Sequence, residues 1–80
     1  MERGRIVCSK AGSDKDTFLV VVGENGNLVL LSDGKRYKLS DPKKKNPKHI
    51  APTGEILNMN EISTDKALRA ALAVWRSKLK

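Results

Sequence analysis

The sequence predicts a small, mainly β domain in which five short strands close into a barrel and one α-helix follows. Apolar and β-branched stretches alternate with turn signals through the first half of the chain. From Ser63 onward the apolar period lengthens from two to about 3.6 residues, as a helix requires. Because 80 residues suffice for one core, we expect a single unit: barrel over 1–55, linker over 56–62 and helix over 63–80.

The first three strands are predicted over residues 3–9, 17–23 and 28–32. The stretch "TFLVVVG" is the strongest of them, and its nearly continuous apolar character indicates contacts on both faces. Asn25-Gly26 is the two-residue signal for a type I′ hairpin between the second and third strands.

A second turn at Asp33-Gly34 predicts a fourth strand over residues 35–39. Alternation would place Tyr37 and Leu39 on one face and Arg36 and Lys38 on the other. Short strands joined by tight hairpins form a meander, and such meanders tend to close into small barrels.

The segment "SDPKKKNPK" is predicted to be extended and solvated, because Pro42 and Pro47 fix φ and exclude helix. Residues 49–54 can add a short closing strand through Ile50, with Pro52 confining it to an edge.

The C-terminal helix is predicted to begin at a cap formed by Ser63 or Thr64. Its apolar face, which we expect to cover one end of the barrel, holds Leu68, Ala71, Leu72, Trp75 and Leu79. A second, polar face holds Arg69, Arg76 and Lys80.

The positive charge of the chain is concentrated in one segment. The formal net charge is +7, and residues 35–49 hold seven lysines and arginines against Asp41 alone. A solvated surface without a partner usually interleaves the two signs, so this concentration indicates a polyanionic partner. The bland alternative is a solubility device or a protected sheet edge.

Other classes of function receive no support. His49 is the only histidine and has no partner in a recognisable catalytic arrangement, so we expect no enzymatic activity. Cys8 is the only cysteine, which argues against a disulfide or a thiolate zinc cluster, and we expect it to be a small buried apolar residue. No cofactor or metal is expected. No apolar run approaches a membrane span or a secretory signal, so we expect a cytoplasmic protein. We also expect it to be a monomer.

The aromatic residues indicate how a polyanion would be bound. The chain has only Phe18, Tyr37 and Trp75, and Phe18 and Trp75 are expected in the core. For Tyr37 two predictions stay open, a position in the core and an exposed position for base stacking. Single-strand readers need exposed aromatic platforms, so recognition of backbone phosphates on a folded nucleic acid is favoured.

Three stretches in order, "GRIVCSKAGSDKDTFLVVVG", "DGKRYKL" and "PKKKNPKHIAPT", resemble the KOW-type domain of archaeal and eukaryotic large-subunit ribosomal proteins. They also resemble the small bacterial KOW domain-containing RNA-binding proteins. The resemblance runs from about Arg3 to Thr53 and implies an SH3-like barrel that binds ribosomal RNA. It implies that the loop from Lys10 to Asp16 and the basic segment approach the RNA backbone. Asp16 stands where such loops commonly have glycine, which directs the prediction toward residues 35–49.

We therefore predict a ribosome- or translation-associated module that binds structured RNA, ribosomal RNA above all, through its phosphates; ribosomal proteins are further possible partners. The predicted contacts are Lys35, Arg36, Lys38, Lys43, Lys44, Lys45, Asn46, Lys48 and His49, followed by Arg3, Arg5 and Lys10. The alternative is a protein-interaction module of SH3-like fold, in a transcription or translation complex. In that case the exposed Arg69 and Arg76 of the helix would be the sensitive residues.

Overall fold

The structure, a computed structural model, describes residues 1–79. Its strands are β1 (Arg5–Ser9), β2 (Phe18–Asn25), β3 (Leu28–Ser32), β4 (Lys43–Lys45) and β5 (Ile50–Ile56), and its helix is α1 (Asp65–Ser77). Two 3₁₀ turns, Pro47–His49 and Met59–Glu61, connect β4 to β5 and β5 to α1. The predicted class, a mainly β domain with five strands and one C-terminal helix, is confirmed.

All five strands form one antiparallel sheet in the order β4-β3-β2-β1-β5. The first four strands are a meander, and β5 returns to pair with β1. β4 and β5 are therefore the two edge strands, and within residues 1–79 the sheet is not closed by hydrogen bonds. Closure into a barrel stays a prediction.

The β2–β3 hairpin differs from the predicted turn by one residue. Asn25 pairs with Leu28, so the two loop residues are Gly26 and Asn27. Gly26 has a φ of +62°, whereas Asn27 does not have a positive φ. A type I′ turn needs positive φ at both loop residues, and a glycine at the first loop position is instead the pattern of type II′.

The predicted fourth strand over residues 35–39 is wrong. The side chain of Asp33 accepts hydrogen bonds from the backbone N–H groups of Lys35 and Tyr37, each over 2.9 Å. The Ser32 hydroxyl donates to the Tyr37 carbonyl over 2.6 Å. These side chains take the backbone partners that a strand would need, so the segment folds into a compact turn.

The fourth strand is instead β4, which lies within the segment predicted to be extended and solvated. Its three lysines pair with Leu31, Leu30 and Val29 of β3. The extended conformation is confirmed, but this part of the segment is hydrogen-bonded into the sheet. Tyr37 and Leu39 also do not share a face, since Tyr37 packs on one apolar cluster and Leu39 on the other.

Each face of the sheet carries its own apolar cluster, because successive side chains of a strand point to opposite sides. The first cluster consists of Val7, Leu19, Val21, Val29, Leu31 and Ile50. The second consists of Ile6, Val20, Met59, Leu68 and Leu72. Leu19, Val20 and Val21 of β2 are all fully buried, which confirms that this strand is covered on both faces.

Helix α1 covers the second cluster. Thr64 is its N-cap and accepts a hydrogen bond from the Ala67 N–H over 3.1 Å, as predicted. Phe18 and Trp75 are half-buried and meet edge to face, with ring centroids 4.9 Å apart. Leu79 lies beyond the helix and is 55% exposed, so its predicted place on the apolar face is wrong. The prediction for Lys80 lies outside the described residues.

The predicted linker over residues 56–62 is part of the folded unit. Its 3₁₀ turn inserts Met59 into the second cluster, where the side chain is buried. The Leu39 N–H also donates to the Asp65 carboxylate over 2.7 Å, which fixes the start of α1 against the preceding turn. The helix is thereby held at a defined position beside residues 33–39.

Candidate nucleic-acid interface

A buried ion pair lies at the centre of the basic region. The Lys45 ammonium donates to the Asp14 carboxylate over 2.5 Å and to the Ala11 carbonyl over 2.8 Å. The side chains of Lys45 and Asp14 are only 9% and 3% exposed. Lys45 was predicted to contact phosphate, but its charge is neutralised inside the protein and it is not available to a partner.

Two further side chains complete this network. The Ser9 hydroxyl donates to Asp14 Oδ1 over 2.8 Å, and the Tyr37 hydroxyl makes a long hydrogen bond of 3.3 Å to Asp14 Oδ2. Every buried side-chain nitrogen and oxygen within residues 1–79 has a hydrogen-bond partner. A fully satisfied buried network rigidifies its surroundings, so the loop formed by residues 10–17 is fixed against β4 and the 33–37 turn.

The network also sets the protonation states of its members. Burial alone would raise the pKa of Asp14, but the hydrogen bonds from Lys45 and Ser9 and the Lys45 charge outweigh it, and the pKa is lowered. Burial, followed by the Asp14 charge, raises the pKa of Tyr37. At neutral pH Asp14 is therefore ionised, and Tyr37 is a neutral donor.

Exposed cations surround the fixed loop. The Arg36 guanidinium donates to the Ser13 hydroxyl over 2.9 Å and lies 5.3 Å from the centroid of the Tyr37 ring. The Lys43 ammonium lies 5.8 Å from the same ring. The Lys10 N–H donates to the His49 carbonyl over 2.8 Å, which brings the 3₁₀ turn to the loop. We call this surface the loop face; it consists of Lys10, Lys15, Arg36, Lys43, Lys48 and His49, all exposed.

Other predicted contact residues lie away from the loop face. Lys44 points to the opposite side of the sheet from Lys43 and Lys45, because alternate residues of a strand face opposite sides. Arg3 lines a hollow with Met59 and Asn60 on the side of the second cluster. The predicted continuous row of lysines is therefore divided between two faces and the interior.

Four more predicted residues have local structural roles or separate positions. Arg5 is half-buried, donates to the Thr53 carbonyl over 2.9 Å and pairs with Glu2. The Asn46 side chain accepts from the Lys48 N–H over 3.0 Å and caps the 3₁₀ turn. Lys38 is exposed in an isolated bridge with Asp41, and Lys35 lies in a groove beside α1.

Lys15 belongs to the loop face although it is not among the contacts predicted from the sequence. The turn Gly12-Ser13-Asp14-Lys15 carries its signal, but the negative charge of Asp16 next to it argues against a phosphate contact by this loop. Asp16 is the one non-glycine residue within 1–79 with a positive φ, at +69°. That conformation is the one in which glycine is favoured. Cys8, expected to be buried, is only half-buried.

Comparison with known proteins adds no relative: no family model matches the chain, and no curated protein matches its sequence. Among the helices of residues 1–79, none has the length and apolar character to cross a membrane. The functional assignment therefore depends on the chemistry of the loop face.

Proposed function

We propose that this protein is an RNA-binding module that contacts the backbone phosphates of structured RNA, with ribosomal RNA as its expected partner, at the ribosome or in translation. The observation that carries the proposal is the loop fixed by the Asp14–Lys45 pair and surrounded by exposed cations. Because the internal charges neutralise each other, the charges of the loop face remain available to a partner. Lysines and arginines that neutralise phosphates release counterions, which drives such binding.

The path from β4 to β5 supports the SH3-like barrel that the KOW resemblance implies. A flat sheet of five strands would separate its edge strands by about 19 Å. Five residue steps lead from Lys45 to Ile50, and two of them lie within a 3₁₀ turn, so the chain reaches only about 14 Å. So short a connection favours a sheet that curls to bring β4 toward β5, as a barrel does.

The aromatic residues favour phosphate contacts over base stacking. Phe18 and Trp75 pack on each other, and Tyr37 lies on the first cluster with its hydroxyl directed to Asp14. All three rings are half-buried. Proteins that read single strands stack bases on open rings, whereas binding to a folded RNA needs cations on a rigid frame.

The salt dependence of binding tests the proposal. The probe is a fluorescein-labelled RNA hairpin with a stem of about 16 base pairs, the span that double-strand readers typically cover. Contacts to four to six phosphates would reduce the affinity by about two to three powers of ten between 50 and 200 mM salt. Lys15→Gln/Lys43→Gln should weaken binding more than Lys66→Gln/Lys78→Gln, which removes equal charge from α1 and the residue after it. Salt-independent binding, or equal effects of the two variants, would contradict the proposal.

The second candidate is a protein-interaction module. It is favoured by exposed apolar side chains on and beyond α1, where Val74 is 56% and Leu79 is 55% exposed. Under this alternative, Val74→Ser should abolish complex formation with a protein partner, and RNA binding should be absent from the wild type.

A further inference from the structure

A cationic groove lies between α1 and the 33–37 turn. The residues that α1 contributes to it lie outside the part of the chain that resembles a KOW domain. The groove encloses about 500 Å³. Its apolar lining includes Phe18, Leu72 and Ala73. Its lining also includes four cations, Lys35 and Arg36 from the turn and Arg69 and Arg76 from the helix.

The four cations of this groove keep their charge available. Asp33 also lines the groove and adds one negative charge to the four positive ones; its carboxylate accepts the N–H groups of Lys35 and Tyr37 and holds the turn together. The ion pairs found within residues 1–79 involve Met1, Arg5 and Lys45, so none of the four cations takes part in one. A concave surface with several unneutralised cations focuses a positive potential and attracts polyanions.

Two of the arginines are positioned by contacts that leave donors for a ligand. Arg69 Nη1 donates to the Gly34 carbonyl over 2.6 Å, and Arg36 Nη2 donates to Ser13 over 2.9 Å. A guanidinium has five N–H donors, so each arginine retains several. Arginine forks match the geometry of phosphate oxygens, and prior ordering reduces the entropy lost on binding.

The spacing and position of these cations indicate an extended ligand. Arg69 and Arg76 are seven residues apart on one side of α1, a rise of about 10 Å, so they can meet different phosphates. Arg36 belongs both to the groove and to the loop face. The two surfaces are therefore joined through one side chain, as expected if one ligand crosses both.

We propose that this groove is a second phosphate-binding surface, along which the sugar–phosphate backbone of the bound RNA continues from Arg36 between the turn and α1. This inference rests on the proposed function, and it assigns to the helix a role in RNA binding. An RNA strand carries charges at regular intervals over a length that covers both surfaces. An acidic protein segment is the other occupant that the test distinguishes.

The experiment compares two variants that lose the same charge, Arg69→Gln/Arg76→Gln and Lys66→Gln/Lys78→Gln. The readout is the affinity for the labelled RNA hairpin as a function of salt. Each phosphate contact contributes roughly 0.7–0.9 to the slope of log K against log salt concentration. The arginine variant should therefore reduce the slope by about 1.5, whereas the lysine variant should leave it within about 0.3.

A third variant is the control for a loss of folding, which Arg69→Gln could cause because the hydrogen bond from Arg69 to Gly34 supports the turn. Arg76→Gln leaves that bond in place and should reduce the slope by about 0.8 with an unchanged melting temperature. An unchanged slope in both arginine variants would overturn the inference.

The outcomes separate this inference from the proposed function. If Lys15→Gln/Lys43→Gln weakens RNA binding while the arginine variants behave like the lysine control, the proposed function stands and the groove is not part of it. If wild-type protein does not bind the hairpin, both proposals fail. Polyglutamate is the probe for the other occupant. If it binds the wild type but not the arginine variants, and the RNA affinity of these variants is unchanged, the groove takes an acidic protein segment and the inference is overturned.

Discussion

The Lys45 ammonium and the Asp14 carboxylate lie 2.5 Å apart in the interior, and they join β4 to a loop 31 residues earlier in the chain. Removing one partner of a buried pair leaves the other charge without compensation. The pair therefore matters more for the conformation of the loop face than for its charge.

Lys45→Met should lower the free energy of unfolding by about 3–5 kcal/mol, because it leaves the Asp14 carboxylate charged and buried. Lys44→Met is the matched control, because Lys44 is exposed and faces the other side of the sheet. It should lower the free energy of unfolding by no more than about 0.5 kcal/mol. Urea denaturation measures both. Asp14→Asn/Lys45→Met should recover a large part of the loss, because no buried charge remains. Equal effects of the two single substitutions would contradict this account of the pair.

The stability of the wild type should fall in acid because of Asp14. A carboxyl whose pKa is lowered by folding contributes stability that is fully present above its unfolded pKa, about 3.9. That contribution is lost as the pH falls below this value and through the folded pKa. Urea midpoints measured from pH 6 down to pH 2 should show the decrease in the wild type. Asp14→Asn/Lys45→Met should show a shallower decrease, and Asp41→Asn, at an exposed position, should match the wild type.

Features that depend on interactions between residues near in sequence could be predicted, whereas features that depend on contacts between distant residues could not. The first three strands and the cap at Thr64 follow from local patterns, and the structure confirms them. The fourth strand was misplaced because the Asp33 side chain captures the backbone of the following turn, which the alternation of residues 35–39 does not reveal. Three consecutive lysines have little strand propensity, so β4 depends on pairing with β3.

The composition of the candidate site was only partly predictable for the same reason. The basic segment was identified from charge alone, which cannot show that Lys44 and Lys45 leave the surface that Lys43 occupies. The burial of Lys45 depends on Asp14, and no local signal connects two residues so far apart in sequence. The groove beside α1 likewise needs a turn and a helix that meet only in the folded chain.

Asp16→Gly should stabilise the protein by about 0.5–1 kcal/mol, because Asp16 has a φ of +69°, which strains residues with a side chain. The melting temperature should rise by about 2–8 °C. The substitution also removes a negative charge beside the loop face, so RNA should bind more tightly. Asp16→Ala separates the two effects, since it removes the same charge but keeps the strain. Asp16→Ala should strengthen RNA binding without raising the melting temperature. If the melting temperature rises equally in both variants, the charge of Asp16 and not its backbone conformation limits stability.

Lys43→Gln and Lys44→Gln should differ in RNA binding although they change the same charge at adjacent positions. Lys43 lies beside the Tyr37 ring on the loop face, whereas Lys44 faces the opposite side of the sheet. Losing one phosphate contact should reduce the salt slope by roughly 0.7–0.9 in Lys43→Gln, and Lys44→Gln should leave it nearly unchanged. Fluorescence anisotropy with the RNA hairpin at several salt concentrations measures both slopes. If the two variants lose affinity equally, the partner responds to the net charge of the segment, and the side of the sheet on which a lysine lies has no importance for binding.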